Sequence, residues 1–112
     1  MSGTSLDGLD IALVEVAGSG SSTKLSLEAF ASPPYSAEWQ HCLQHCTNPI
    51  EASAIELGQL HVGLGFHWAE IVLQQLHEWH IDPRSIDAVA SHGQTVLHLP
   101  HESTLRAYLP KT

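Results

Sequence analysis

"MSGTSLDGLDIALVEVA" (residues 1–17) decides how the rest of the chain is read. Residues 2–8 pair small hydroxyl side chains with glycine, a composition for turns rather than for regular elements. Residues 9–17, "LDIALVEVA", form a short apolar run rich in branched side chains, which predicts a strand buried on both faces. "GSGSS" at 18–22 is a turn, and "TKLSLEAFA" at 23–31 sets Leu25, Leu27 and Ala29 against Lys24, Ser26 and Glu28. That alternation predicts a second strand with one wetter face, so the two runs make a hairpin. Pro33 and Pro34 in "SPPYS" cannot donate to a ladder and end the sheet there.

Helical periodicity takes over beyond the prolines. Ser36 is a good N-cap for "AEWQHCLQHC" (37–46), which "TNP" at 47–49 terminates. A longer helix is predicted from about Glu51 to His80, with an apolar stripe that includes Ile55, Leu60, Leu64, Trp68, Ile71, Val72 and Leu76. Gly58, Gly63 and Gly65 each cost that helix about 1 kcal/mol against alanine. Close approach of a neighbouring backbone, or a kink, is the expected compensation. "DPRS" closes the helix, and "IDAVAS" at 86–91 predicts a further strand leading into "HGQTVLHLP". The order β-β-α-α-β points to an α/β fold, a mixed sheet with helices packed on one face.

Composition narrows the partners. The 112 residues carry a net charge of −8 with only four basic side chains, Lys24, Arg84, Arg106 and Lys111. Nucleic-acid affinity rests on many Lys and Arg contacts to phosphate, so that partner is excluded, and an anionic membrane surface is disfavoured for the same reason. No apolar run approaches about 18 residues. Cys42 and Cys46 lie four apart in a predicted helix, with roughly parallel side chains, a poor disulfide geometry. A reducing cytoplasm is the expected compartment.

Three stretches could carry chemistry. In the opening turn, successive amides around Gly3 and Gly8 can form a nest for phosphate oxygens, with the Thr4 and Ser5 hydroxyls as further donors. Asp7 and Asp10 could orient Mg²⁺, directly or through water. No lysine follows the glycines, so this is not the P-loop motif. The same residues also suit a plain tight turn capped by serine and aspartate. "SHGQT" at 91–95 follows a predicted strand, where α/β sheets place ligands, and His92, Gln94 and Thr95 could hydrogen-bond a sugar or phosphate; a polar turn is the other reading. "HCLQHC" at 41–46 places two His and two Cys at helical i, i+4 spacing, a zinc-chelating pattern without a second ligand cluster. A hydrolytic Ser5, His92 and Asp7 triad lacks the strand–turn–helix elbow such a nucleophile needs.

The chain also carries a resemblance. "MSGTSLDGLDIALVEV" resembles the amino-terminal phosphate hairpin of the anhydro-N-acetylmuramic acid kinases, within the sugar-kinase and actin superfamily. "ELGQLHVGLGFHWAEIV" is similar to that family's long helix, and "IDAVASHGQTVLHLP" to the strand and loop that follow, down to the His98-x-Pro100 ending. The three motifs stand in the family's order and span most of residues 1–104.

The resemblance implies part of one lobe of an actin-like, ribonuclease H-like ATPase fold. It implies ATP-dependent opening and phosphorylation of 1,6-anhydro-N-acetylmuramic acid to N-acetylmuramic acid 6-phosphate in peptidoglycan recycling, with ATP and Mg²⁺ as cofactors. Gly3, Thr4, Ser5, Leu6, Asp7, Gly8, Leu9 and Asp10 match the ATP-phosphate segment, with Asp7 toward the metal. His92, Gln94 and Thr95 match a loop beside the sugar. Partners are then the amino sugar and ATP, with a homodimer for the intact enzyme. The resemblance further implies a strand ahead of Met1, and a catalytic base, second phosphate loop and adenine pocket beyond Thr112. Residues 1–112 are therefore expected to be a partial amino-terminal lobe, inactive by themselves. A non-catalytic remnant acting as a binding or structural domain is the alternative expectation.

Overall fold

A computed structural model describes residues 5–48 and 50–97. Strands β1 (Ile11–Ala17) and β2 (Lys24–Ala31) pair antiparallel, joined by a tight 3-10 turn at Gly20–Ser22. Helix α1 (Ala37–Cys46) and helix α2 (Ala54–Glu78) follow, and a single 3-10 turn covers Pro83–Ser85. The α/β reading and the hairpin hold.

The helix ends show why these segments fold as they do. The Ser36 hydroxyl accepts from the Trp39 amide at 3.3 Å and opens α1; the Thr47 hydroxyl donates to the Leu43 carbonyl at 2.8 Å and closes it. Helix α2 begins three residues later than the periodicity suggests because Ser53 and Glu56 form a reciprocal capping box. The Glu56 amide donates to the Ser53 hydroxyl at 3.2 Å, and the Ser53 amide donates back to the Glu56 carboxylate at 2.8 Å. At the other end His80 takes the left-handed conformation, φ 59°, and the Ile81 amide reaches the Leu76 carbonyl at 2.9 Å. That is a Schellman-type stop with histidine where glycine is commoner.

The core gathers Leu9, Tyr35, Leu43, Cys46, Leu60 and Leu64, with Leu43 fully buried. Ile11, Trp39, Trp68 and Val72 pack against it, half-buried. Trp39 lies parallel to the His67 ring, centroids 4.3 Å apart. Helix α2 therefore places its Leu60–Leu64–Leu76 stripe inward as expected, whereas Ile55, assigned to the same stripe, is 74% exposed. The three glycines do not mark a close backbone approach. The nearest foreign atom to a Cβ at Gly63 would be a Trp39 ring carbon at 3.8 Å, nothing lies within 4 Å at Gly58 or Gly65, and the helix runs unbroken.

Two sheet expectations are corrected. Strand β1 is not buried on both faces: Ile11 and Leu13 are half-buried, while Val14 and Val16 are exposed. The register explains the pattern. Leu13 pairs with Ala29 but Val14 pairs with Leu27, so Glu28 is a bulged extra residue in β2. The bulge brings Leu25 and Leu27 to the face of Val14 and Val16, away from Ala29. Residues 86–91 are not in a strand. No strand among the described residues lies beside them to complete a ladder, and Val89 is 82% exposed. The sheet among the described residues is thus two-stranded and antiparallel, without the parallel member a mixed sheet needs.

Candidate functional site

The opening turn is built against the prolines that end β2. The Leu9 amide donates to the Pro33 carbonyl at 3.0 Å, and the Tyr35 amide donates to the Asp7 carbonyl at 2.9 Å. Between them Gly8 bridges Pro34, at a distance no side chain tolerates: a Cβ there would lie 2.6 Å from the Pro33 carbonyl oxygen. Leu9 is buried beneath the turn, and Leu6 packs against the core with φ 55°. A left-handed leucine is strained by about 1–3 kcal/mol, and such strain gathers at active sites and ligand clamps.

The turn carries an exposed carboxylate, Asp7. The Ser5 hydroxyl donates to Asp7 Oδ1 at 2.6 Å, and that bond, followed by the amides of Asp7 itself and Gly8, holds the exposed Asp7 carboxyl below the usual carboxylate range. An anion thus already engages the Ser5 hydroxyl, one of the donors that the sequence assigns to phosphate. The Ser32 hydroxyl donates to Asp10 across the start of the hairpin. Ser5, Asp7, Gly8 and Asp10 accordingly share one turn, while the Leu9 amide is committed to Pro33 and not turned outward. Gly3 and Thr4 lie outside the described residues, as do His98 and Pro100 of the third motif.

Residues 91–97 form a loop, irregular apart from a single β-bridge residue at Gln94. The Gly93 amide donates to the Ser91 hydroxyl at 3.0 Å, with Gly93 itself at φ 74°, and the Gln94 side-chain amide donates to the Thr95 carbonyl at 3.1 Å. His92 and Thr95 are exposed; Gln94 is half-buried. Gln94 helps line a groove of about 390 Å³ against α2, walled by Leu57, Leu60, Leu64 and Trp68 with His61 at its side.

The turn and this groove are joined by Tyr35, which no motif singles out, and Trp68, which the sequence reads only as part of the apolar stripe of α2. The Trp68 indole N–H donates to the Tyr35 phenolic oxygen at 2.7 Å, and the Tyr35 amide holds the Asp7 carbonyl. One wall of the groove is therefore hydrogen-bonded, through Tyr35, to the backbone of the acidic turn. The only local signal for Tyr35 is its place directly after two prolines.

The other chemical readings find no support in the geometry. Ser5 has its hydroxyl on Asp7, with no imidazole bonded to it among the described residues, which leaves the hydrolytic triad unformed. In α1, His45 faces Glu56 and Glu51, and Cys46 is buried while Cys42 is exposed. No group of three His, Cys, Asp or Glu side chains among the described residues could hold a metal ion. No helix among them is long and apolar enough to cross a membrane.

Comparison with known proteins identifies the setting of this turn. A family model described as anhydro-N-acetylmuramic acid kinase matches residues 1–108. An anhydro-N-acetylmuramic acid kinase of Pseudoalteromonas translucida is 37% identical over 100 residues, covering 89% of this chain and 25% of that protein. Kinases of the same name from Caldanaerobacter subterraneus subsp. tengcongensis and Bacillus cereus are each 38% identical, over 101 and 103 residues, covering 90% and 91% of this chain. The chain spans about a quarter of the length of these relatives. With the match running through the turn, both helices and the 91–97 loop, the chain belongs to the anhydro-N-acetylmuramic acid kinase family.

Proposed function

We propose that these residues supply the phosphate-holding turn and a sugar-side loop of a kinase that opens 1,6-anhydro-N-acetylmuramic acid and phosphorylates it with ATP, in cytoplasmic peptidoglycan recycling. The carrying observation is the Asp7 carboxylate held by the Ser5 hydroxyl at 2.6 Å within the Gly8 turn. Donors that bind one anion suit another, and a carboxylate held ionised beside them suits a hard cation. Bound ATP and Mg²⁺ supply the transferable phosphoryl group and the charge that neutralises it. Ser5 and the Gly8 amide would hold phosphate oxygens, Asp7 would hold Mg²⁺, and Gln94 and Thr95 would hydrogen-bond the sugar. The base that activates water at the anomeric carbon belongs, in this proposal, to other parts of a family-length protein, as does any homodimer contact.

The test is Asp7→Asn in a family-length enzyme carrying this segment. Because the charge positions metal and phosphate, kcat falls at least tenfold while the KM for the sugar changes little. An unchanged kcat overturns the assignment of Asp7. The 112-residue chain alone, holding one part of the phosphate site, binds Mg-ATP more weakly than millimolar; a micromolar Kd by calorimetry, about −8 kcal/mol, overturns the division of the site.

A further inference from the structure

Tyr35 is tied to three different elements at once. Its amide donates to the Asp7 carbonyl at 2.9 Å, and its carbonyl accepts from the Gln40 side-chain amide in α1 at 3.2 Å. Its phenolic oxygen accepts from the Trp68 indole N–H in α2 at 2.7 Å. The residue is 4% exposed, inside the cluster that Leu9, Leu43 and Leu64 also form, so these bonds are largely shielded from water. The turn meets the proline segment through the Leu9 and Tyr35 amides, with Gly8 pressed between the two strands of chain. Turn and proline segment therefore move as one body, and the polar groups of Tyr35 fix that body against both helices.

We infer that Tyr35 is a positioning residue for phosphoryl transfer, and that the Trp68 indole is the anchor that sets where Ser5 and Asp7 stand relative to α2. Tyr35 touches neither phosphate nor metal in this account; it acts through the backbone of Asp7. The Ser5 hydroxyl and the Asp7 carboxylate are exposed and bonded to each other, and among the described residues neither is bonded to another element. Their placement follows the backbone, and the backbone follows Tyr35. Apolar contacts of Leu6 and Leu9 hold the turn to the core, but a hydrogen bond is directional where such packing is not. A misplacement of about 1 Å can cost about 100-fold in rate, so an anchor remote from the phosphate matters to the chemistry. The inference rests on the reading of this turn as the phosphate site.

Trp68→Phe in a family-length enzyme carrying this segment keeps a ring in place and removes the donor. The expected result is a kcat lower by about tenfold, a higher Mg²⁺ concentration at half-maximal rate, and little change in KM for the sugar. Tyr35→Phe gives the same changes, and the double variant is no worse than either single one. A mere loss of folded protein lowers the rate at every Mg²⁺ concentration and leaves the half-saturation point where it was. In the 112-residue chain itself, without nucleotide or metal, Trp68→Phe speeds exchange of the Leu9 amide by about tenfold relative to the Leu64 amide in α2. An unmoved Mg²⁺ half-saturation point, or Leu9 exchange that only tracks Leu64, overturns the inference. If Asp7→Asn leaves kcat unchanged, the phosphate reading falls and this inference with it. If Asp7→Asn lowers kcat while Trp68→Phe does not, the inference alone is overturned.

Discussion

Trp68, in the middle of α2, donates its indole N–H to the phenolic oxygen of Tyr35 at 2.7 Å, across 33 residues of sequence. Tyr35 is buried and its amide holds the Asp7 carbonyl, so this bond fixes the height of the acidic turn relative to the helix. Tyr35→Phe keeps the ring and leaves the half-buried Trp68 donor without a partner, a loss of about 1–3 kcal/mol. Tyr35→Phe combined with Trp68→Phe removes both halves and costs less than the sum of the single changes. Urea unfolding of the four proteins checks this; strict additivity would show that the bond contributes nothing.

Gly8 is the second fixed point. An alanine Cβ would stand 2.6 Å from the Pro33 carbonyl oxygen and 3.2 Å from Pro34 Cα, both backbone atoms that cannot rotate away. Gly8→Ala therefore parts the turn from the proline segment, at about 1–3 kcal/mol for an overpacked contact. The Leu9 and Tyr35 amides, which cross that seam, exchange with solvent faster, while amides in the middle of α2 are slowed or speeded only with global stability. Unchanged exchange at Leu9 and Tyr35 would place the seam elsewhere.

Local elements were legible where the signal was local. Ser36 and the "TNP" stop bound α1 at the residues the structure shows, and the branched run of β1 with the alternation of β2 names the hairpin. The start of α2 shifts because the Ser53–Glu56 box outranks the looser apolar periodicity before it. The bulge at Glu28 escaped because its residue is not glycine, and it reversed which face Leu25 and Leu27 occupy. Within the site, Ser5, Asp7 and Gly8 could be found from hydroxyl and glycine content alone. The Tyr35–Trp68 link could not, since a pair so far apart in sequence leaves no local trace. Family membership was legible because three motifs stand in a fixed order, a signal that no single turn carries.

The two cysteines differ in reach despite lying one helical turn apart. Cys46 is buried, and burial first, then the neighbouring Cys42, pushes its thiol up, whereas Cys42 is exposed. The thiolate is the reactive form, so iodoacetamide at pH 8 labels Cys42 and leaves Cys46 protected until urea is added. Mass spectrometry then reads one adduct on the native chain and two on the unfolded one. Equal labelling of both in the native chain would remove Cys46 from the core.

The corner between α1 and α2 sets a pH window. His45 Nε2 lies 3.0 Å from Glu56 Oε1 and its Nδ1 3.5 Å from Glu51 Oε2. Its hydrogen bond to Glu56, foremost, raises the imidazole above 6.5, while the Ser53 amide and hydroxyl, foremost, and then His45 lower Glu56 from 4.5 to about 2. A raised histidine stabilises the fold fully below pH 6.5, and that contribution fades as pH climbs through its folded value. A lowered glutamate stabilises fully above pH 4.5, and that contribution fades as pH drops toward about 2. The corner is therefore strongest between pH 4.5 and 6.5. His45→Gln flattens the decline on the alkaline side and leaves most of the acid decline, which belongs to the capping box. Ser53→Ala does the reverse. Urea midpoints of the three proteins from pH 3 to 8.5 separate the two limbs, and an alkaline decline that survives His45→Gln would show that the imidazole is not its source.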